Sequence, residues 1–402
     1  MRKLVKICAC ALVPFMLLQL CACLNPVSID SCGYVVAIGA DIGKEKRYDV
    51  VLELQRESSG DISDSNGGSI ILECEADNLF EAINELDSRI SFSLNFTRTH
   101  VFLFGEQLAK EGLIPDFLKA SFDVLRIRQS ALMMMTRCSV LDYISGIAAN
   151  NGANVSKIQD DIISDVHSTG EIAATNVALF FEAADGGWFD AAMPVGYFDE
   201  SIITDTKQRD NTTKGETPIK DAKQDAKIGG MQGITIGCAV FDGTKLAAIL
   251  DGHETQFVNM GRGDFAEGTI DYPISGEGTA AIYLKLKDRR IKAEVGDKPR
   301  IAAELCFNVT IEYDPSGAIG NDWNNGAKEL LSGYLSTKLK EVFEKCRDNG
   351  SDAMGFGRSA AKQFFTTAEF ESFDWKSVYR NAEADFSVEL ILDDEYVAEL
   401  RQ

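Results

Sequence analysis

Histidine is scarce in this chain of 402 residues: only His100, His167 and His253 occur, and none has a His or Cys partner at the spacing a metal site needs. His253-Glu254 starts like a zincin motif, but Phe257 stands where the second histidine must be. Downstream of residue 23 the six cysteines Cys32, Cys74, Cys138, Cys238, Cys306 and Cys346 are scattered singly, without the C-x-x-C pairs of zinc and iron–sulfur sites. Most sit in apolar runs, where cysteine behaves as a small hydrophobe, although bridges remain open outside the cytoplasm. There is no Walker loop, no G-x-S-x-G elbow and no EF-hand loop. Gly276-Glu277-Gly278 loosely matches a dinucleotide fingerprint, but an alternating strand follows it instead of the helix a phosphate site requires. Abundant carboxylates without a flanking signature read as solvated surface. No catalytic residue, cofactor or metal ligand is therefore expected, and the chain reads as a non-enzyme.

Positive charge is also in short supply, with 40 Lys and Arg against 62 Asp and Glu and a net charge of −22. Such a surface repels phosphate backbones and anionic headgroups, so nucleic-acid binding and adsorption through a polybasic patch are not expected. Nor does any run reach a comfortable spanning length of roughly 20 apolar residues. The apolar stretch from Ile7 to Leu20 follows the basic Arg2, Lys3 and Lys6 and is interrupted by Pro14, as in a signal peptide.

That stretch ends in Leu20-Cys21-Ala22-Cys23, which resembles a lipobox: an aliphatic residue, a tolerant site, a small residue and then cysteine. Cys21 is preceded by the bulky Leu20, so Cys23 is the expected lipid attachment site and residues 1–22 the signal peptide. Ordinary secretory cleavage with an unmodified Cys23, or an uncleaved anchor, are the alternatives. Two acyl chains anchor stably where one gives only about 10⁴ M⁻¹. Loss of the three basic residues of the signal would take the net charge from −22 to −25, leaving the lipid as the means of membrane attachment.

Length argues for two or three domains. Residues 23–200 alternate strand and helix patterns: strands at 33–42, 46–55, 69–74, 100–104 and 131–135, helices at 79–86 with Asp77 as cap, 106–110, 116–125 and 140–149. Large apolar residues nearly vanish over 201–232, which reads as a polar linker or long loop. Residues 233–402 then form a C-terminal α+β domain. Its expected hairpins are 234–241 with 245–250, and 280–287 with 290–295 turned by Asp288-Arg289. The alternation Ile301, Ala303, Leu305, Phe307, Val309, Ile311, Tyr313 marks the clearest strand, residues 326–347 the clearest amphipathic helix, and 386–392 a last strand. Arg262-Gly263-Asp264 reads as a turn. The fold class expected is α+β, multi-domain, with mixed or antiparallel sheets covered by helices.

Four stretches together resemble the C-subunit lipoproteins of bacterial spore germinant receptors, the Ger(x)C family. They are Ser28–Gly43 after the lipid cysteine, Asn78–Leu113 with THVFLFGEQLAKEGL, Gly237–Glu254 with GCAVFDGTKLAAILDGHE, and Asp352-Ala353-Met354-Gly355-Phe356-Gly357 with the downstream Trp375. In the last, Gly350 and Gly355 can relieve the backbone after the long helix and Phe356 can extend its apolar stripe; a packing role and a partner contact both remain open. The resemblance implies a non-enzymatic subunit, lipid-anchored to the outer face of the spore inner membrane. It implies partnership with the integral-membrane A and B subunits in responding to germinants. A stand-alone extracytoplasmic solute-binding lipoprotein is the alternative function.

Overall fold

The computed structural model describes residues 32–55, 69–119, 127–151, 164–197, 234–274, 278–315 and 326–392, and residues 125, 162, 317, 319 and 323 singly. Strand β1 (Cys32–Ile42) is buried along most of its length, as a strand must be when helices cover both faces of its sheet. It pairs antiparallel with β2 (Tyr48–Gln55), and β2 with β3 (Ser69–Ala76). On its other edge it runs parallel to β4 (Ser93–Asn95) and then to β5 (Val101–Gly105). β6 (Leu132–Thr136) and β8 (Ala192–Tyr197) continue the parallel series, with β7 (Thr175–Asn176) added on β6. β9 (Ile234–Asp242) and β10 (Lys245–Leu250) close this sheet as an antiparallel hairpin on β8. Helices α1 (Leu79–Ser88), α2 (Glu106–Glu111), α3 (Ile114–Leu118) and α5 (Val177–Gly186) pack on the face bearing Phe102, Phe104, Met133 and Met135. α4 (Val140–Asn151) covers Val101, Leu103 and Met134 on the opposite face.

A second sheet runs β11 (Glu267–Ile274), β12 (Gly278–Glu294), β13 (Arg300–Tyr313), β14 (Glu383–Leu392), antiparallel except for the parallel β13–β14 pair. A parallel pair needs a crossover. α7 (Ala327–Asp348) supplies most of it, its stripe of Leu331, Leu335, Leu339, Val342, Phe343 and Cys346 lying on the sheet. The Ser332 hydroxyl donates to the Val388 carbonyl at 2.5 Å, tying that helix to the edge strand. α6 (Gly252–Arg262) precedes the sheet, and α8 (Gly357–Ala361), α9 (Thr367–Phe373) and α10 (Trp375–Tyr379) complete the crossover. The architecture is α+β and multi-domain, with two mixed sheets, both covered by helices.

Several local expectations need correction. The second expected hairpin is one 17-residue strand, β12, with a bulge between Leu286 and Asp288. Asp288-Arg289 lacks the glycine that tight two-residue turns favour at their positive-φ positions. Asn78, not Asp77, caps α1, its side chain accepting from the Glu81 N–H at 3.0 Å. Tyr313 is 57% exposed because β13 outruns the core that covers its other odd-numbered residues. α6 has no counterpart in the sequence reading: Thr255 through Gly261 are all buried, so no polar face marks a helical period. Its signal is the capping box Asp251-x-x-Glu254, with both reciprocal bonds formed. The 201–232 segment lies outside the described residues, and the strands on either side of it, β8 and β9, are neighbours in one sheet. None of the six cysteines from Cys32 onward is in a disulfide.

Candidate functional site

Cys23 and the signal segment 1–22 lie outside the described residues. The three histidines are far apart in the chain, and among the described residues no three His, Cys, Asp or Glu side chains group to hold a metal ion. No described helix is long and apolar enough to cross a membrane.

Two of the four resemblance stretches meet in space. The first contributor is the β9–β10 turn, with Asp242 and Gly243. The second is the segment after α7, where Gly350 (φ 82°) and Gly355 (φ 73°) hold left-handed backbone that other residues enter only at a cost. Between them Asp352 is 1% exposed. Its Oδ1 accepts from the Phe356 N–H at 2.9 Å, and its Oδ2 from the Gly357 N–H at 2.7 Å and the Trp375 indole N–H at 3.0 Å. Gly357 cannot carry a side chain: a Cβ there would sit 2.4 Å from the Trp188 carbonyl oxygen and 2.6 Å from the Trp375 indole nitrogen. Phe356 is buried beside Phe343 of α7 and Phe386 of β14, ring centroids 5.8 and 6.2 Å away, so it does extend the helix stripe.

The same segment reaches across to the first sheet. The Asp352 N–H donates to Asp190 Oδ2 at 2.8 Å, and the Asp190 N–H donates to the Asp352 carbonyl at 3.0 Å. Asp190 stands two residues before β8 and is fully buried. Its Oδ1 accepts from the Gly243 N–H at 2.8 Å and pairs with Lys376 Nζ at 2.9 Å. Lys376 also reaches Asp242 Oδ1 at 2.5 Å, and Arg380 reaches Asp242 Oδ2 at 3.1 Å. The network thus joins loops of the first sheet to the crossover of the second.

Burial dominates its electrostatics. It pushes the Asp352 carboxyl up to about 7 against the pull of the Gly357, Trp375 and Phe356 donors, with Asp190 nearby adding to the rise. It also raises Asp190, opposed by Lys376 and by the Gly243 and Asp352 N–H groups. For Lys376 burial acts to lower the pKa, but Asp190 and Asp242 outweigh it and the ammonium is held above its ordinary value. Neither carboxylate is open to solvent, so the arrangement is suited to joining the two sheets. The sequence motif contains Asp352 and leaves packing and partner contact both open for its glycines and Phe356; Asp190 and Lys376 stand outside it. Both lie in segments without any signature, and only the fold brings them to Asp352.

Two family models match the chain, one after the other. The family described as "Spore germination protein N-terminal domain" matches residues 25–196, and the family described as "Spore germination B3/ GerAC like, C-terminal" matches residues 236–395. The comparison with curated proteins finds no match. Among solved structures, one described as "Crystal Structure of the GerBC protein" aligns over 88% of this chain and 96% of its own at 14% identity, with a TM-score of 0.47. With both halves matched in order, the chain belongs to the GerAC-like family of spore germination proteins, the C subunits of germinant receptors.

Proposed function

We propose that this chain is a non-enzymatic subunit of a germinant receptor, anchored by lipid on Cys23 to the outer face of the spore inner membrane. There it works beside the integral-membrane A and B subunits in the response to germinants. The observation that carries the reading is the ordered match of both family domains, residues 25–196 and 236–395, behind a lipobox. The closed Asp190–Asp352 joint supports it as well, because a subunit that works through its surfaces needs its two sheets held in register. The acidic charge of −22 leaves the acyl chains as the means of membrane attachment.

The test is Cys23→Ala in sporulating cells. The expected protein is folded, fails to incorporate labelled palmitate, washes off the membrane fraction and leaves spores that no longer respond to germinants. A variant that stays membrane-bound after washing, with the germination response intact, overturns the reading.

A further inference from the structure

Phe365, in the loop between α8 and α9, is 99% exposed, and the segment that carries it is braced on both sides. The Gln363 side chain donates to the Ala293 carbonyl and ties the loop to the end of β12. Phe364 packs on Phe370 and Phe373 of α9, with ring centroids 5.4 and 5.3 Å away. The Phe365 N–H donates to Glu369 Oε2 at 3.0 Å, and Thr366 caps α9 by accepting from the Glu369 N–H at 3.2 Å. Phe365 therefore holds the position before the cap, where an apolar side chain ordinarily folds onto the fourth helical residue, here Phe370. Phe364 has taken that place. A phenylalanine that local packing rules would fold inward is held out in water on a fixed backbone, and the burial of its ring is forgone.

The loop lies at the end of the molecule from which the expected lipid tether departs. β1, β5, β6 and β8 run parallel, so Cys32 at the start of β1 and Trp188, just ahead of β8, mark one end of the first sheet. Trp188 meets Phe370 of α9 with ring centroids 6.2 Å apart, which places α9 and its cap at that end. β8 is three strands from β1, roughly 14 Å across the sheet. Cys32 follows Cys23 by nine residues, a span of at most about 32 Å when fully extended. Tyr313, 57% exposed, lies elsewhere: it ends β13, roughly 40 Å along the strand from Ile301, the residue paired with Ala293.

We propose that Phe365 inserts into the bilayer that holds the Cys23 anchor, at the boundary between headgroups and acyl chains, and so fixes which end of the protein faces the membrane. The inference rests on the anchor reading. The acyl chains supply attachment, and the ring supplies orientation. Lys362 and Glu369, both exposed, flank it with opposite charges, so what is recognised is the apolar boundary and not the charge of anionic headgroups.

The test reconstitutes the full chain in phosphatidylcholine vesicles with and without brominated acyl chains, as the native protein, Phe365→Trp and Tyr313→Trp. A side chain that is 99% exposed can be exchanged without disturbing the core. After subtraction of the native emission, the added tryptophan of Phe365→Trp is expected to be quenched about twofold by the brominated chains, and that of Tyr313→Trp not at all. If the native chain carries no lipid by mass and does not float with the vesicles, the anchor reading fails and this inference with it. If it floats but Phe365→Trp is unquenched, or Tyr313→Trp is quenched equally, the inference fails alone. An emission from Phe365→Trp that shifts to shorter wavelength on floated vesicles without quenching marks a protein contact in place of the lipid one, and overturns it as well.

Discussion

Replacing Asp352 with Asn tests the joint at its centre, because the change removes the charge and keeps the shape. In the native chain the carboxyl accepts three N–H groups, from Phe356, Gly357 and Trp375. An amide has one oxygen, so its NH₂ must confront at least one of these donors, at a cost of about 1–3 kcal/mol for the group left unpaired. The charge works in the opposite direction. A carboxyl raised on folding from 3.8 to about 7 keeps its proton longer in the native state than in the unfolded one. Its contribution to stability is therefore fully present below about pH 4 and lost as pH rises through about 7, about 4 kcal/mol in all. Roughly 2–3 kcal/mol of that loss falls between pH 5 and pH 8. The variant has no such slope. Urea denaturation of the full chain in detergent, followed by tryptophan fluorescence, gives both stabilities; Trp375, 1% exposed at the joint, is one of the three tryptophans that report. Between pH 5 and pH 8 the difference between the two proteins should shift in the variant's favour by about 2–3 kcal/mol. A difference that stays constant with pH refutes the raised carboxyl. Asp352→Ala, which orphans all three donors, should be less stable than Asn at both pH values, and equal stability of the two variants would refute the accounting of donors.

Two further changes probe the same junction. Lys376→Met leaves the buried Asp190 without its cation and should cost about 3–5 kcal/mol, with part regained in the double variant carrying Asp190→Asn; a double-mutant cycle of thermal melts measures the coupling. Gly357→Ala forces a methyl against the Trp188 carbonyl and the Trp375 indole, so a loss of about 3 kcal/mol is expected together with a changed Trp375 emission; an unchanged melt would show that the segment moves aside freely.

Much of this protein was legible because its signals are local. The strand alternation from Ile301 to Ile311 and the helical stripe from Leu331 to Cys346 each declare their period within a single element. α6 stayed hidden because burial on all sides erases that period, leaving only its capping box. Within β12 the charged Asp288-Arg289 pair resembles a turn in sequence, whereas the strand accommodates it with a bulge.

The sequence by itself determined the acidic balance, the lipobox-like run before Cys23, the scarcity of recognisable catalytic motifs and the order of family stretches, since each is a property of neighbouring residues or of totals. Only the tertiary structure decided that the β9–β10 hairpin extends the first sheet and that Asp190, Asp352 and Lys376 form one junction. Asp190 and Asp352 are 162 positions apart, and no local pattern encodes a pairing that arises only when two sheets pack and exclude water from the carboxylates between them.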